Sequence, residues 1–152
     1  MKVLKIKNSN EKAHIVREIL ADLPEWFGLP ESTKAYVEEA RALPLFAMQD
    51  NNEILGFITL KETSDATCEI HCMGVKKKHH RLGIGKRLYK YFENYAKTHY
   101  QYVQVKTVDE GHYDTYDRTI KFYESLGFAR LEVFPELWDE WNPCLILIKS
   151  LR

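Results

Sequence analysis

Gly83-Ile84-Gly85 follows a run of six basic or imidazole side chains, Lys76-Lys77-Lys78-His79-His80-Arg81, and precedes an amphipathic stretch. Two glycines one residue apart at a helix start keep Cβ atoms away from the main-chain N–H groups. The N–H groups of a first helical turn have no intrahelical partner, and the helix dipole favours an anion beside them. The guest that fits is a pyrophosphate, with the basic run adding charge for further phosphates. The same residues also suit a plain tight turn between strand and helix. The chain holds no GxxxxGK[ST], so this is not a P-loop, and the third glycine of the dinucleotide fingerprint is missing.

The residues just before the run, Glu69-Ile70-His71-Cys72-Met73-Gly74-Val75, read as a strand. Alternation puts Glu69, His71 and Met73 on one face and Cys68 and Cys72 on the other. A carboxylate and an imidazole side by side are candidate bases, acting directly or through water; the imidazole titrates near ~6.5. Their other use is to position a substrate or satisfy each other. Cys68-x-x-His71-Cys72 has the composition of a zinc site, but side chains on opposite faces do not converge, so no metal is expected. Neither Cys72 nor Cys144 has a base beside it in sequence to make it a nucleophile. Gly74 inside a strand fits a bulge or a close ligand approach.

The elements that must position these groups follow from periodicity and punctuation. Lys2 to Lys7 alternates as a short strand, and Asn8, Ser9 or Asn10 caps a helix with Ile15, Ile19, Leu20 and Leu23 on one stripe, ended by Pro24. Pro30-Glu31-Ser32 opens a second helix to about Leu43, with Tyr36 and Val37 on its apolar side. Leu45–Met48 and Ile54–Lys61 form a hairpin about Asp50–Glu53, and Thr67–Val75 is the next strand. A helix from Ile84 to about Thr98 carries the stripe Ile84, Leu88, Tyr91, Phe92 and Tyr95. Tyr102–Val108 is a strand. Asp114 reads as the N-cap of a helix over Thr115–Leu126, with Tyr116, Thr119, Ile120 and Tyr123 on its stripe and Gly127 as a left-handed C-terminal cap. Strands at Ala129–Phe134 and Leu145–Lys149 close the chain, joined by the acidic, aromatic Pro135–Trp141. Strand, long helix, strand suggests a right-handed crossover between parallel neighbours. The whole, residues 1–152, reads as one α/β domain: a mixed sheet with helices packed on it.

Composition narrows the class. Lys plus Arg and Asp plus Glu number 22 each, a formal charge of zero, which argues against nucleic acid as a partner. No apolar run approaches the ~18 residues of a membrane span, and MKVLKIKNSN lacks the apolar region of a signal peptide. Three irregularly spaced cysteines give no disulfide framework, which points to a reducing cytoplasm.

His80-Arg81-Leu82-Gly83-Ile84-Gly85 resembles the [Q/R]-x-x-G-x-[G/A] motif of the GNAT superfamily of acetyl-CoA-dependent N-acetyltransferases, with His80 where Gln or Arg is usual. Thr119-Ile-Lys-Phe-Tyr123-Glu-Ser-Leu-Gly127-Phe128 resembles a second landmark of that family, N-x-x-A-x-x-x-Y-x-x-x-G-F. Tyr123, Gly127 and Phe128 align, while Tyr116 replaces the Asn and Thr119 the Ala. The element order matches over essentially the whole chain. The resemblance implies a mostly antiparallel sheet with one splayed parallel pair, flanked by about four helices. It implies acetyl-CoA as cosubstrate, its pantetheine arm pairing with the main chain of Met73 and Val75 beside Gly74, its pyrophosphate on the N–H groups of Arg81 through Lys86, and His80 as a further cofactor contact. It places the N–H of Val75 at the thioester oxygen, Tyr116 and Tyr123 at the cofactor, and Tyr123 as proton donor to the leaving sulfur; Glu69 stands where some members carry a catalytic glutamate.

In that fold Glu25, Trp26, Phe27 and Glu31 on one side, and Trp138, Asp139, Glu140 and Trp141 on the other, border the acceptor, with Asp109, Glu110 and His112 near the splay. Aromatic faces with carboxylates suit a cationic amine, a small primary amine or a lysine-like terminus. The implied activity is direct acetyl transfer in a ternary complex, and the family admits a homodimer. The rival from another class is a non-catalytic acyl-CoA sensor, which would keep the phosphate cradle without needing Glu69, His71 and Tyr123 together. A longer acyl group is a third reading.

Overall fold

The computed structural model describes all 152 residues. The chain order is β1 (Lys2–Ile6), α1 (Ser9–Ala21), α2 (Pro30–Ala40), β2 (Leu45–Asp50), β3 (Glu53–Glu62), β4 (Thr67–Val75), a short 3-10 turn (Lys77–His79), α3 (Ile84–Ala96), β5 (Tyr102–Val108), α4 (Asp114–Ser125), β6 (Ala129–Asp139) and β7 (Asn142–Ser150). The strands form one seven-stranded sheet in the order β1-β2-β3-β4-β5-β7-β6. Every neighbouring pair is antiparallel except β4 and β5, which are parallel. No helix is long and apolar enough to cross a membrane.

Helices cover both faces of the sheet, so the core has two halves. On one face Ile15, Val16, Ile19 and Leu20 of α1 and Val37 of α2 bury against Leu45, Ala47, Phe57 and Cys72. On the other, Leu88 and Phe92 of α3 and Ile120 and Tyr123 of α4 bury against Phe46, Ile58, Val103 and Leu145. The caps are local chemistry. Asn8 accepts from the Glu11 N–H at 2.9 Å, and Pro30, whose missing N–H costs nothing in a first turn, opens α2. At the end of α4, Gly127 sits at φ 99° while its N–H and that of Phe128 bond the Glu124 and Tyr123 carbonyls, as a left-handed C-terminal cap requires.

Several expectations are corrected. Tyr113, not Asp114, is the N-cap residue of α4, and no side chain caps it. Helix α2 ends at Ala40 and α3 at Ala96, because their last residues close tighter turns. On α3, Tyr89 is buried whereas Tyr91 is 43% exposed, because Tyr89 packs against Phe92 and against Phe128 from beyond α4. Pro135–Trp141 is no loop: β6 continues to Asp139 and only Glu140 and Trp141 turn, held by the Asp139 carboxylate accepting from the Trp141 and Asn142 N–H groups.

The largest correction is a bulge. Thr59 faces Cys72 while the next residue, Leu60, faces Ile70, so His71 is an extra residue in β4. The alternation therefore slips: Cys68 and Ile70 bury toward α3, Cys72 buries toward α1, and Met73 packs toward α3. Cys68 and Cys72 thus lie on opposite faces rather than together, and Met73 does not share a face with His71. The bulge is at His71 and not at Gly74. The space a Gly74 side chain would need is taken by Ile19 of α1 and Leu23 just after it, each 3.0 Å from an ideal Cβ. Gly56, across the ladder, is tighter still, with the Gly74 carbonyl oxygen 2.8 Å from its ideal Cβ. Gly56→Ala is expected to destabilise the fold by about 1–3 kcal/mol, because backbone must move. A shift of the urea midpoint at unchanged m-value is the check.

Candidate active site

Parallel pairing of β4 and β5 lasts for three residue pairs, ending at Glu69↔Gln104, although both strands continue. Past that point the strands part. On its other edge β4 stays paired to β3 up to Gly56↔Val75, and the Lys76 N–H bonds the Leu55 carbonyl. Antiparallel pairs alternate between bonded and non-bonded, so Gly74 exchanges bonds with Phe57 while the main-chain groups of Met73 and Val75 face the gap. A cleft walled by backbone that no strand pairs opens there in mid-sheet, with the Val75 carbonyl accepting from His80 Nε2 at 2.6 Å.

The chain leaves this cleft through the 3-10 turn. Arg81 at φ 67° and Gly83 at φ 76° are both left-handed. For Gly83 this conformation is free; for Arg81 it is strained. The result is that the N–H groups of residues 81 to 86 donate to no protein acceptor, while His80 N–H bonds Lys77 and Arg87 N–H bonds Gly83. Six successive free donors at a turn and helix N-terminus make an anion cradle. Gly85 serves packing as well, for Phe122 of α4 stands 3.1 Å from its ideal Cβ.

The basic run is not the phosphate patch its composition suggested. Lys76 pairs with Glu18 at 3.0 Å, Lys77 with Glu25, and Lys78 and His79 with Glu53 at 3.1 Å. Glu25 is likewise spent on Lys77 rather than left for an acceptor. Arg81 and Lys86 make no ion pair and keep their charge beside the cradle.

On the α1 and α2 side of β4 the proton-handling groups meet. The Thr59 hydroxyl lies 3.0 Å from His71 Nδ1 and 3.2 Å from the Cys72 carbonyl oxygen, so its one proton can serve either acceptor. Given to the carbonyl, it lets the oxygen accept from Nδ1–H; given to Nδ1, it leaves the ring proton on Nε2, toward Glu39. Nε2 is buried, has no hydrogen-bond partner, and lies 3.5 Å from a Glu39 carboxylate oxygen. Burial pushes the His71 pKa down, with the Glu39 charge opposing. Tyr36 stacks edge-on against the His71 ring at 5.3 Å. Glu69, 7% exposed, accepts from Gln104 at 3.1 Å and pairs with Lys106 at 3.3 Å, so its charge is already engaged.

Tyr123 lies on the α4 side, buried between Phe122 and Phe128, and its hydroxyl makes no hydrogen bond. Burial first, then the nearness of Cys72 and Tyr36, drives its pKa well above the usual tyrosine value. Tyr116 and Thr119 are turned to another use: the Tyr116 hydroxyl donates to the Trp26 carbonyl at 2.7 Å, and the Trp26 indole N–H donates to Thr119 at 3.3 Å. Trp26 is thus tied to α4, while Phe27 packs against Tyr36 and lines a groove between α1 and α2. Trp138 stands apart, 45% exposed on β6 and stacked on none of these aromatics, and His112 lies exposed in the loop before α4. Thr59 and Glu39 escaped sequence reading. A lone threonine inside the apolar run Gly56–Leu60 was the available signal for the first; nothing local marked the second.

Residues 13–128 match the model of the Acetyltransferase (GNAT) family. The chain belongs to that family. No curated protein matches the sequence. Among solved structures, a GNAT-family protein from Desulfovibrio desulfuricans superposes with TM-score 0.84 at 15% identity, covering 99% of both chains. An aminoglycoside 6'-N-acetyltransferase complexed with coenzyme A gives TM-score 0.76 at 20% identity over 100% of this chain and 98% of that one. The ribosomal-protein-S18-alanine N-acetyltransferase of Escherichia coli gives 0.74 at 15%, covering 99% and 93%. These likenesses establish a shared fold.

Proposed function

We propose that the protein transfers an acetyl group from acetyl-CoA to a primary amine by direct attack with both substrates bound. The observation that carries this is the run of six free N–H donors at residues 81–86, set at the mouth of the backbone-walled cleft between β4 and β5. An extended amide-bearing arm ending in a pyrophosphate fits that pair of features. The N–H groups from Arg81 to Lys86 hold the pyrophosphate, and the main chain of Met73 and Val75, flanking Gly74, pairs with the arm. Bound acetyl-CoA supplies a thioester carbonyl to attack and a thiol to leave.

The residues of this chain supply the rest. His71 takes a proton from the acceptor ammonium on Nε2, in the tautomer whose Nδ1–H donates to Thr59. Glu69, already bonded by Gln104 and Lys106, is better suited to attract and orient the ammonium than to remove its proton. The Val75 N–H faces the cleft, where developing negative charge on an oxygen needs a donor. Tyr123, kept a phenol by burial, holds a proton for the leaving sulfur. Trp26 and Phe27 line the acceptor side. With Glu39 and Glu69 nearby, the favoured acceptor is a cationic small amine or a lysine-like terminus. A purely CoA-sensing protein would have no need of His71, Glu69 and Tyr123 together.

The test is coenzyme A release from acetyl-CoA across polyamines, amino acids, aminoglycosides and lysine peptides. Amine-dependent release, fastest with cationic acceptors, is the expected result. Binding of acetyl-CoA with no turnover on any amine would favour the sensor. The cradle has its own check. A left-handed non-glycine residue costs about 1–2 kcal/mol, and a loop relieved of it must regain the turn on binding. Gly83→Ala is therefore expected to weaken coenzyme A binding about 5- to 30-fold by calorimetry, without unfolding, since its Cβ meets nothing within 4 Å.

A further inference from the structure

His80 occupies a main-chain group that the cofactor arm needs. Its Nε2–H donates to the Val75 carbonyl at 2.6 Å, one of the groups facing the cleft. The ring also meets the edge of Trp26, with centroids 6.0 Å apart at 78°. From Trp26 the contacts run on along loop 22–29: its neighbour Phe27 packs edge-on against Tyr36 at 5.8 Å, and Tyr36 against His71 at 5.3 Å. The loop is strapped to α4 through Tyr116 and Thr119, and to the 3-10 turn by the Lys77 N–H donating to Asp22 at 2.7 Å. Two sets of ring contacts, His80 with Trp26 and Phe27 with Tyr36 and His71, are joined through the Trp26–Phe27 main chain and so link the cofactor cleft to the proposed base.

Resting on the cofactor assignment above, we propose that Trp26 is a positioning residue that couples the two substrates, with His80 as its switch. The coenzyme's arm takes the Val75 carbonyl from His80. The displaced imidazole leaves the Trp26 edge, and loop 22–29 resettles against α4 with Phe27 and Tyr36, setting the wall beside His71. The imidazole has two discrete positions, on the carbonyl or off it, which gives the coupling a physical element rather than mere adjacency. His80 stands where the family motif has a residue read as a cofactor contact; here it acts first as a competitor for the cofactor's own site. Tyr116 and Thr119, the two departures from the family pattern in α4, are the strap's anchors.

Three tryptophans are present, and Trp138 and Trp141 are exposed. The doubly substituted protein Trp138→Phe, Trp141→Phe leaves Trp26 as the sole tryptophan, and is titrated with coenzyme A by fluorescence and by calorimetry. The expected result is a saturable change in Trp26 emission with the calorimetric midpoint. In the added His80→Ala variant the free protein already shows the shifted emission, and coenzyme A binds about two- to tenfold more tightly, the factor for one hydrogen bond no longer displaced. Weaker binding in His80→Ala would make the residue an ordinary cofactor contact and overturn the proposal. So would heat of binding with no change in Trp26 emission, which leaves the cofactor assignment standing. No heat of binding at all would instead remove that assignment. Since His80 is exposed, its replacement leaves the core intact.

Discussion

His71→Asn is expected to lower kcat/KM by about two to four orders of magnitude, the range for a positioned general base. The sign of the pH dependence tests the assignment. Only neutral His71 accepts a proton, and burial lowers its pKa from the ordinary 6.5. Activity should therefore persist below pH 6.5 and fall off on an acid limb lower than an unperturbed histidine gives. Glu39 opposes that shift by stabilising the imidazolium. In Glu39→Gln the acid limb should move lower still; a move upward would mean that Glu39 is not the charge His71 feels. Thr59→Val removes the hydroxyl that bonds His71 Nδ1 and so frees the ring, and kcat should drop with little change in the cofactor's Kd. Thr59→Ser should restore it. A pH profile untouched by all three substitutions would assign the base to Glu69 or to water.

Tyr123→Phe is expected to cut kcat by about 10²- to 10³-fold. Coenzyme A affinity and thermal stability should stay near those of the wild type, because the hydroxyl bonds nothing in the folded chain and phenylalanine keeps the ring contacts with Phe122 and Phe128. The raised pKa adds a second reading. A phenol that stays protonated well past its ordinary value of 10.0 imposes no alkaline loss of activity up to that pH. An alkaline limb below 10 that vanishes in Tyr123→Phe would contradict the burial seen here. Unchanged kcat in the variant would hand the donor role to another group.

The order of elements was legible in the sequence because each is announced locally. Pro30 opens a helix, Gly127 ends one, and Gly83 marks the turn into α3. What failed was what depends on a partner. The bulge at His71 is a property of β4 against β3, and no alternation within β4 foretells it. It decided the site all the same, since it turns Cys72 and His71 to one face and Met73 away. Lys76, Lys77 and Lys78 look like phosphate ligands until the fold brings Glu18, Glu25 and Glu53 to them. Pro135, Asp139 and Glu140 read as a loop because turn residues were weighed without the strand that pairs beside them. Of the candidate site, the cradle and His71 with Glu69 were readable; Thr59, Glu39 and the second use of Tyr116 were not.

The cleft between β4 and β5 is walled by main chain, and so is the cradle after it. A ligand grasped by backbone makes almost no demand on which side chains occupy residues 81, 82, 84 and 86, only that the chain keep its course there. The proposed acceptor wall is built the other way, from the side chains of loop 22–29, α2 and β4. Inheritance can therefore act on the two halves separately. The path of the backbone survives drift to 15% identity, and on the proposed assignment a handful of substitutions around Trp26, Tyr36 and Glu39 would be enough to give a descendant a new amine.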